Sequence, residues 1–141
     1  LAARLDSKSS RTYVLLGDGE CDEGQIWEAA MSASHYKLDN LVAIIDRNRI
    51  QNDRFTSEVM ELEPLADKWR SFGWETMEIN GHEFSEIIDA FNKSNLTTGK
   101  PTVIIANTVK GKGVSFMENN PDFHGKAPTH DQMVQALKEI G

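Results

Sequence analysis

An aspartate between two glycines, Gly17-Asp18-Gly19, and an asparagine about 30 positions further on, Asn48, are the residues whose types and spacing could do chemistry in this chain. Each follows an apolar run, Tyr13 to Leu16 before the first and Leu41 to Ile45 before the second. Short apolar runs that end in glycine or a polar turn read as strands, so both side chains fall just past strand ends. The flanking glycines let the backbone turn sharply and come close to a ligand. Mg²⁺ takes about six oxygen ligands in near-octahedral geometry and is usually held by one or two protein groups together with phosphates. The Asp18 carboxylate, the Asn48 side-chain oxygen and a nearby backbone carbonyl would make such a set. One carboxylate leaves the ion a net positive charge with which to neutralise a diphosphate. Alone, Asp18 is a turn residue and Asn48 a loop cap; at two adjacent strand ends they predict a magnesium diphosphate site.

The elements that must position these residues follow from the hydrophobic pattern. Residues 11–16 predict a first buried strand. Asp22 with Gln25 three positions on has the form of a capping box, opening a helix through about Lys37. Ile26, Ala30 and Ala33 mark one face of it, and Ala29 and Ser32 allow close approach of another backbone. Leu41 to Ile45 is apolar without alternation, as a parallel strand covered on both faces should be. Residues 52–63 predict a polar loop. Pro64 suits the first turn of a helix reaching Phe72 and stopped by Gly73, with Leu65, Ala66, Trp69 and Phe72 inward. A strand over Trp74 to Ile79, a turn at Asn80-Gly81 and a helix over Glu83 to Lys93 come next, with Phe84, Ile87, Ile88 and Phe91 as core. Pro101 to Thr108 holds a fourth strand, and a last helix, His130 to Ile140, carries Met133, Ala136, Leu137 and Ile140 on one side.

Val109 to Thr129 shows little periodicity, and so long a loop in a compact domain is usually functional or disordered. It contains His124, which makes it the expected active-site loop. Strands alternating with helices predict a parallel sheet whose ligands bind outside the carboxyl ends of the strands. Asp18, Asn48 and the loop after Thr108 converge on that edge.

These residues match a known pattern. GDG followed by about 30 positions to an asparagine resembles the thiamine diphosphate signature, and the wider chain resembles transketolase. The resemblance runs through GDGECDEGQIWEAAMSASHYKLDNLVAIIDRNRIQ, EPLADKWRSFGW, INGHEF and KGKGVSFMENNPDFHGKAP, and is greatest to the amino-terminal subunit of split transketolases. It implies a three-layer α/β sandwich with a mostly parallel sheet flanked by helices, spanning residues 1–141 as a single diphosphate- and Mg²⁺-binding domain. The implied cofactors are thiamine diphosphate and Mg²⁺. Asp18 and Asn48 would bind the metal by their side chains and Ile50 by its carbonyl; Gly17 and Gly19 would bring backbone N–H groups to the diphosphate, beside Glu20. Glu23 matches a glutamate beside the cofactor and the subunit contact, and His124 a histidine that reaches the diphosphate and the substrate side of the cleft. One departure stands out: after Gln51 the family commonly has an apolar residue and then Asp-Gly, where this chain has Asn52-Asp53-Arg54. A polar Asn52 against the thiazolium ring implies weaker cofactor binding.

The resemblance further implies transfer of a two-carbon ketol unit between sugar phosphates. The partner would be a carboxy-terminal transketolase subunit carrying the pyrimidine-binding domain and the activating glutamate, in a dimer or heterotetramer, with this chain inactive alone. Relatives carry further residues upstream, including histidines that contact substrate, so a chain beginning at Leu1-Ala2-Ala3 reads as a fragment, a processed piece or a reduced relative, truncated at the amino terminus.

Composition narrows the alternatives. A net charge of −7 argues against nucleic acid, because phosphate-backbone binding depends on clustered Lys and Arg. Lys110 and Lys112 in KGKG are a local exception that could meet an anion. No run approaches the 18 or so apolar residues of a membrane span. The single cysteine, Cys21, excludes an internal disulfide and points to a reducing, cytoplasmic compartment; it reads as a small packed residue rather than a reactive thiol. Two other readings remain: another thiamine diphosphate enzyme, of the 2-oxo acid dehydrogenase or deoxyxylulose phosphate synthase type, and a noncatalytic interaction module built on the fold. The absence of G-x-G-x-x-G after the first strand argues against a dinucleotide-binding domain.

Overall fold

The computed structural model describes residues 1–52 and 54–141. A short helix, α1 (Ala2–Leu5), leads into strand β1 (Thr12–Gly17), a 3₁₀ turn (Asp18–Asp22) and helix α2 (Gly24–His35). Strand β2 (Leu41–Arg47) is followed by two short strands, β3 (Ile50–Gln51) and β4 (Arg54–Phe55), and a helical turn, α3 (Thr56–Val59). Helix α4 (Leu65–Ser71), strand β5 (Glu75–Asn80), helix α5 (Phe84–Leu96), strand β6 (Thr102–Asn107) and helix α6 (His130–Ile140) complete the order.

The main sheet is parallel throughout, in the order β1-β2-β6-β5. Its two faces form two cores. On one face Ala43, Ile45, Val103 and Ile105 pack against Ala30 and Ala33 of α2 and Leu65 and Trp69 of α4. On the other, Val42 and Ile104 meet Ala90 of α5, with Ile44, Met77, Ile79 and Phe91 partly buried around them. Helix, sheet and helix are the three layers expected. Burying Val42, Ala43, Ile45, Val103, Ile104 and Ile105 on both faces of the central strands contributes about 1.5–3 kcal/mol for each larger side chain.

Several expectations need correction. The first strand lies at the sheet edge and is not buried: Leu15 is 72% exposed, and Tyr13 and Val14 are also open. The Asp22–Gln25 capping box does not form. A 3₁₀ turn occupies Asp18–Asp22, so α2 starts only at Gly24 with Glu23 as its cap residue, and the Asp22 carboxylate instead accepts from Gln51 Nε2 at 3.0 Å. That helix ends at His35, because Lys37 takes a left-handed conformation, φ 50°. Pro64 caps α4 from outside rather than opening it. The supposed polar loop after Asn52 contains β4 and α3, with Asp53 outside the described residues. In α5 the small residues Ala90 and Ser94 face the sheet while Phe84, 80% exposed, and Ile88 lie outside the core. The apolar side of α6 is likewise largely exposed at Met133, Leu137 and Ile140. Among the described residues no helix is long and apolar enough to cross a membrane.

Candidate functional site

Strand β1 ends at Gly17 and the chain enters the 3₁₀ turn at once, so Asp18 is held 1% exposed at the carboxyl edge of the sheet. Its carboxylate is fully oriented. Oδ1 accepts the Gly19 N–H at 2.9 Å; Oδ2 accepts Arg47 Nη1 at 2.9 Å and the Arg49 N–H at 2.6 Å. The β1–β2 register sets Gly17 opposite Asp46, which brings Asn48 beside Asp18 as sequence spacing required. Asn48 Oδ1 accepts the Ile50 N–H at 2.9 Å, and its Nδ2 donates to Asp46 Oδ2 at 3.0 Å. The other Asp46 oxygen accepts the Thr108 hydroxyl, which arrives just past the end of β6. Between Asn48 and Ile50, Arg49 is in the left-handed region, φ 66°, a sparsely populated conformation for a residue with a side chain.

A cavity of about 330 Å³ opens here, lined by Gly17, Asp18, Gly19, Glu20, Glu23, Asn48, Ile50 and His124, with Gln51 and Asn52 in addition. The structure therefore brings together the eight residues that the resemblance assigned to metal, diphosphate or substrate, while Lys110 and Lys112 do not line this cavity. His124 reaches it from the loop after Thr108, directly behind a 3₁₀ turn (Pro121–Phe123) whose Pro121 carbonyl accepts the His124 N–H at 2.9 Å. Gly19 is needed for close approach: a Cβ there would sit 2.6 Å from Gln51 Cβ. The departure at Asn52 has a backbone cause, since φ 50° at the turn after β3 is a conformation Asn tolerates better than an apolar residue does. Arg47, Asp46 and Thr108, which the sequence pattern did not single out, hold Asp18 and Asn48 in place, and Gln51 ties the turn through Asp22. The signal for Arg47 was a guanidinium in the last position of a buried strand.

The electrostatics of the cavity decide what it can hold. The Gly17 N–H donates to Glu20 Oε2 at 2.5 Å and the Gly19 N–H to Asp18, so both amides expected to face an anion are engaged by carboxylates. With Asp18, Glu20 and Glu23 on its walls, the cavity repels a diphosphate unless a cation intervenes. Its donor set of one carboxylate, one amide oxygen and backbone carbonyls is the hard-oxygen type that suits Mg²⁺ or Ca²⁺. Among the described residues no group of three or more His, Cys, Asp or Glu is placed to hold a metal ion, so a softer or multi-carboxylate site is not offered. Cys21, buried behind the turn, is no nucleophile. Burial, and then the charges of Asp18, Asp22 and Glu20, push its thiol up to about 12.

Residues 4–141 match the family described as transketolase, thiamine diphosphate binding domain. The chain belongs to that family. It is 50% identical over 140 residues to a subunit of apulose-4-phosphate transketolase from Phocaeicola vulgatus, an alignment covering 99% of this chain and 50% of the relative. It is 45% identical over 140 residues to 6-deoxy-6-sulfo-D-fructose transketolase subunit SqwG of a Clostridium species, covering 99% and 51%. Among solved structures, the transketolase of Campylobacter jejuni superposes with a TM-score of 0.90 at 31% identity, over 99% of this chain and 22% of that one. The chain spans about half the length of the curated relatives it matches. As a transketolase thiamine diphosphate-binding domain, its three layers and parallel sheet are those of the family, and its cofactor class is thiamine diphosphate.

Proposed function

We propose that this chain anchors the diphosphate and metal of a thiamine diphosphate-dependent transketolase, which moves a two-carbon ketol unit between sugar phosphates once a second subunit supplies the pyrimidine-binding domain. The observation that carries this reading is the meeting of Asp18, Asn48, Ile50, the glycine turn and His124 in one cavity at the carboxyl edge of a parallel sheet. The Asp18 and Asn48 side chains and the Ile50 carbonyl would hold Mg²⁺, whose charge offsets the acidic wall and lets the diphosphate enter. When bound, the cofactor supplies the carbon nucleophile. This chain's part is to fix the diphosphate end and, through His124 at the mouth, to offer an imidazole to the diphosphate and the incoming sugar. Two relatives whose names designate subunits support a partner chain, in a dimer or heterotetramer. The buried thiol of Cys21 supports a reducing, cytoplasmic setting.

Calorimetric titration of thiamine diphosphate with Mg²⁺ into the chain, alone and with its partner subunit, tests the proposal. Heat that requires the metal, and is lost in Asp18→Ala and Asn48→Ala, is the expected result. Metal-independent binding, or binding indifferent to both substitutions, would overturn it.

A further inference from the structure

The turn after β5 and the exit from β6 are built against each other at the carboxyl edge of the sheet. The Gly81 N–H donates to the Asn107 carbonyl at 2.8 Å, and a Cβ on Gly81 would sit 2.5 Å from Thr108 Cγ2, so glycine is what lets the two segments approach. Asn80 Oδ1 accepts the His82 N–H at 3.0 Å, while the Asn80 N–H donates to Glu86 Oε2 at 2.7 Å and ties the turn to α5. So held, His82 presents Nε2 to the Val109 N–H, which donates to it at 2.7 Å. An imidazole nitrogen that accepts leaves the ring proton on Nδ1. Val109 opens the loop that delivers His124. It is only half-buried and His82 is exposed, so water could satisfy this N–H as well as an imidazole does. What the ring adds is direction.

That direction is passed to the residue before it. The Thr108 N–H donates to the Arg47 carbonyl at 3.2 Å, and the next N–H, that of Val109, is the one His82 holds. With the chain pinned on both sides, the Thr108 hydroxyl donates to Asp46 Oδ1, and Asp46 Oδ2 accepts from Asn48 Nδ2 at 3.0 Å. His82, Thr108, Asp46 and Asn48 border one cavity of about 450 Å³, and Asn48 borders the diphosphate cavity as well. We propose that His82 is a positioning residue for Asn48: by accepting the Val109 N–H it keeps the Thr108 hydroxyl on Asp46, and Asp46 in turn keeps the Asn48 amide oriented at the cation position. The inference rests on the metal-dependent diphosphate site proposed above. His82 touches neither metal nor cofactor in this arrangement and acts only through Val109, Thr108 and Asp46.

The test is calorimetric titration of thiamine diphosphate at a fixed Mg²⁺ concentration into the chain with its partner subunit, in the parent, His82→Phe, His82→Gln, Thr108→Val and the double variant of His82→Phe with Thr108→Val. Phenylalanine keeps a ring but offers no acceptor, whereas the glutamine carbonyl can take the place of Nε2. His82→Phe should weaken binding by about 3- to 10-fold, the effect of one net hydrogen bond. His82→Gln should stay within about twofold of the parent, because an acceptor is retained. Once Thr108→Val has broken the link to Asp46, adding His82→Phe should cost less than about a further twofold, since residues that act through one network are not additive. Unchanged affinity in His82→Phe, equal losses in His82→Phe and His82→Gln when both match the parent's circular dichroism, or a His82→Phe loss undiminished beside Thr108→Val would each overturn the proposal while leaving the parent's binding intact. A parent with no metal-dependent binding would overturn the site itself and this inference with it.

Discussion

The amide nitrogen of Asn48 donates to Asp46 Oδ2 at 3.0 Å and, together with the Ile50 N–H on Asn48 Oδ1, this bond orients the amide at the candidate metal position. Asp46 can do this because the Thr108 hydroxyl holds its other oxygen. Asp46→Ala removes both contacts and is expected to weaken metal-dependent thiamine diphosphate binding by about 10–100-fold. Asp46→Asn should retain most of it, since Thr108 can turn from donor to acceptor while the new carbonyl still accepts from Asn48. Calorimetry on the two variants separates these outcomes. Equal affinity in both would mean that the amide orientation is set elsewhere.

Arg49 offers a test of backbone strain at the same edge. At φ 66°, it directs its N–H to Asp18 at 2.6 Å and lends its carbonyl to the Thr56 N–H at 2.9 Å. A left-handed residue with a side chain costs roughly 1–2 kcal/mol. Arg49→Gly should therefore leave stability unchanged or raise it by up to about 1 kcal/mol, the glycine's own chain entropy offsetting part of the relief. Arg49→Val should lower it by about 1–2 kcal/mol, because branching at Cβ is least compatible with this region. Urea unfolding midpoints at constant slope measure both.

How far the sequence revealed this arrangement depended on how local each determinant was. Asp18 and Asn48 were legible because strand, turn and strand are short-range patterns, and two parallel neighbours bring their ends together, whereas Ile50 was named only through the resemblance. His124 was legible only through the resemblance and the length of its loop. The edge position of β1 was not, since an apolar run such as Tyr13 to Leu16 looks the same in a central strand and at a sheet edge; exposure is a property of neighbours that the run does not encode. The outward Phe84 and Ile88 were missed for a related reason. Small side chains, Ala90 and Ser94, bring α5 against the sheet, and this displaces the larger apolar residues from the contact. The Arg47 guanidinium, which donates to Asp18, Thr56 and Glu63, joins residues whose partnership no periodicity announces.

Trp69 in α4 and Trp74 just after it should respond unequally to truncation. Trp74 Nε1 donates to the Ala30 carbonyl at 3.0 Å, whereas Trp69 Nε1 is buried without a partner among the described residues. The two rings meet edge to face, with centroids 4.8 Å apart. Trp74→Phe loses volume and one hydrogen bond to a carbonyl that keeps its donor within α2, whereas Trp69→Phe loses volume but relieves an unsatisfied N–H. A buried polar group without a partner costs about 1–3 kcal/mol, so Trp74→Phe should be the more destabilising by about that amount. Thermal or urea unfolding of the two single variants checks the order, and a larger loss at Trp69 would show that packing outweighs hydrogen bonding in this cluster.

Glu139 of α6 accepts the Ser115 N–H at 2.6 Å and the Ser115 hydroxyl at 2.8 Å, fastening the last helix to the loop that delivers His124. The Ser115 N–H first, then Gln135 and the Ser115 hydroxyl, hold its carboxyl below the ordinary value of 4.5. The docked state thus binds fewer protons than the undocked state between the lowered value and 4.5, and falling pH in that window favours release. The contact should be fully present at neutral pH and lost as pH drops through the lowered value. Glu139→Gln discards the charge at all pH values, so amide hydrogens of α6 should exchange faster than in the parent at about pH 7. Rates corrected for intrinsic exchange should then converge as the parent's carboxylate becomes protonated below pH 4.5. A difference that persisted unchanged to acid pH would mean that the substituted amide fails for its shape rather than its charge. Because the group is exposed and screened by solvent, the coupling should also shrink in high salt, which distinguishes it from the buried contacts at Asp18.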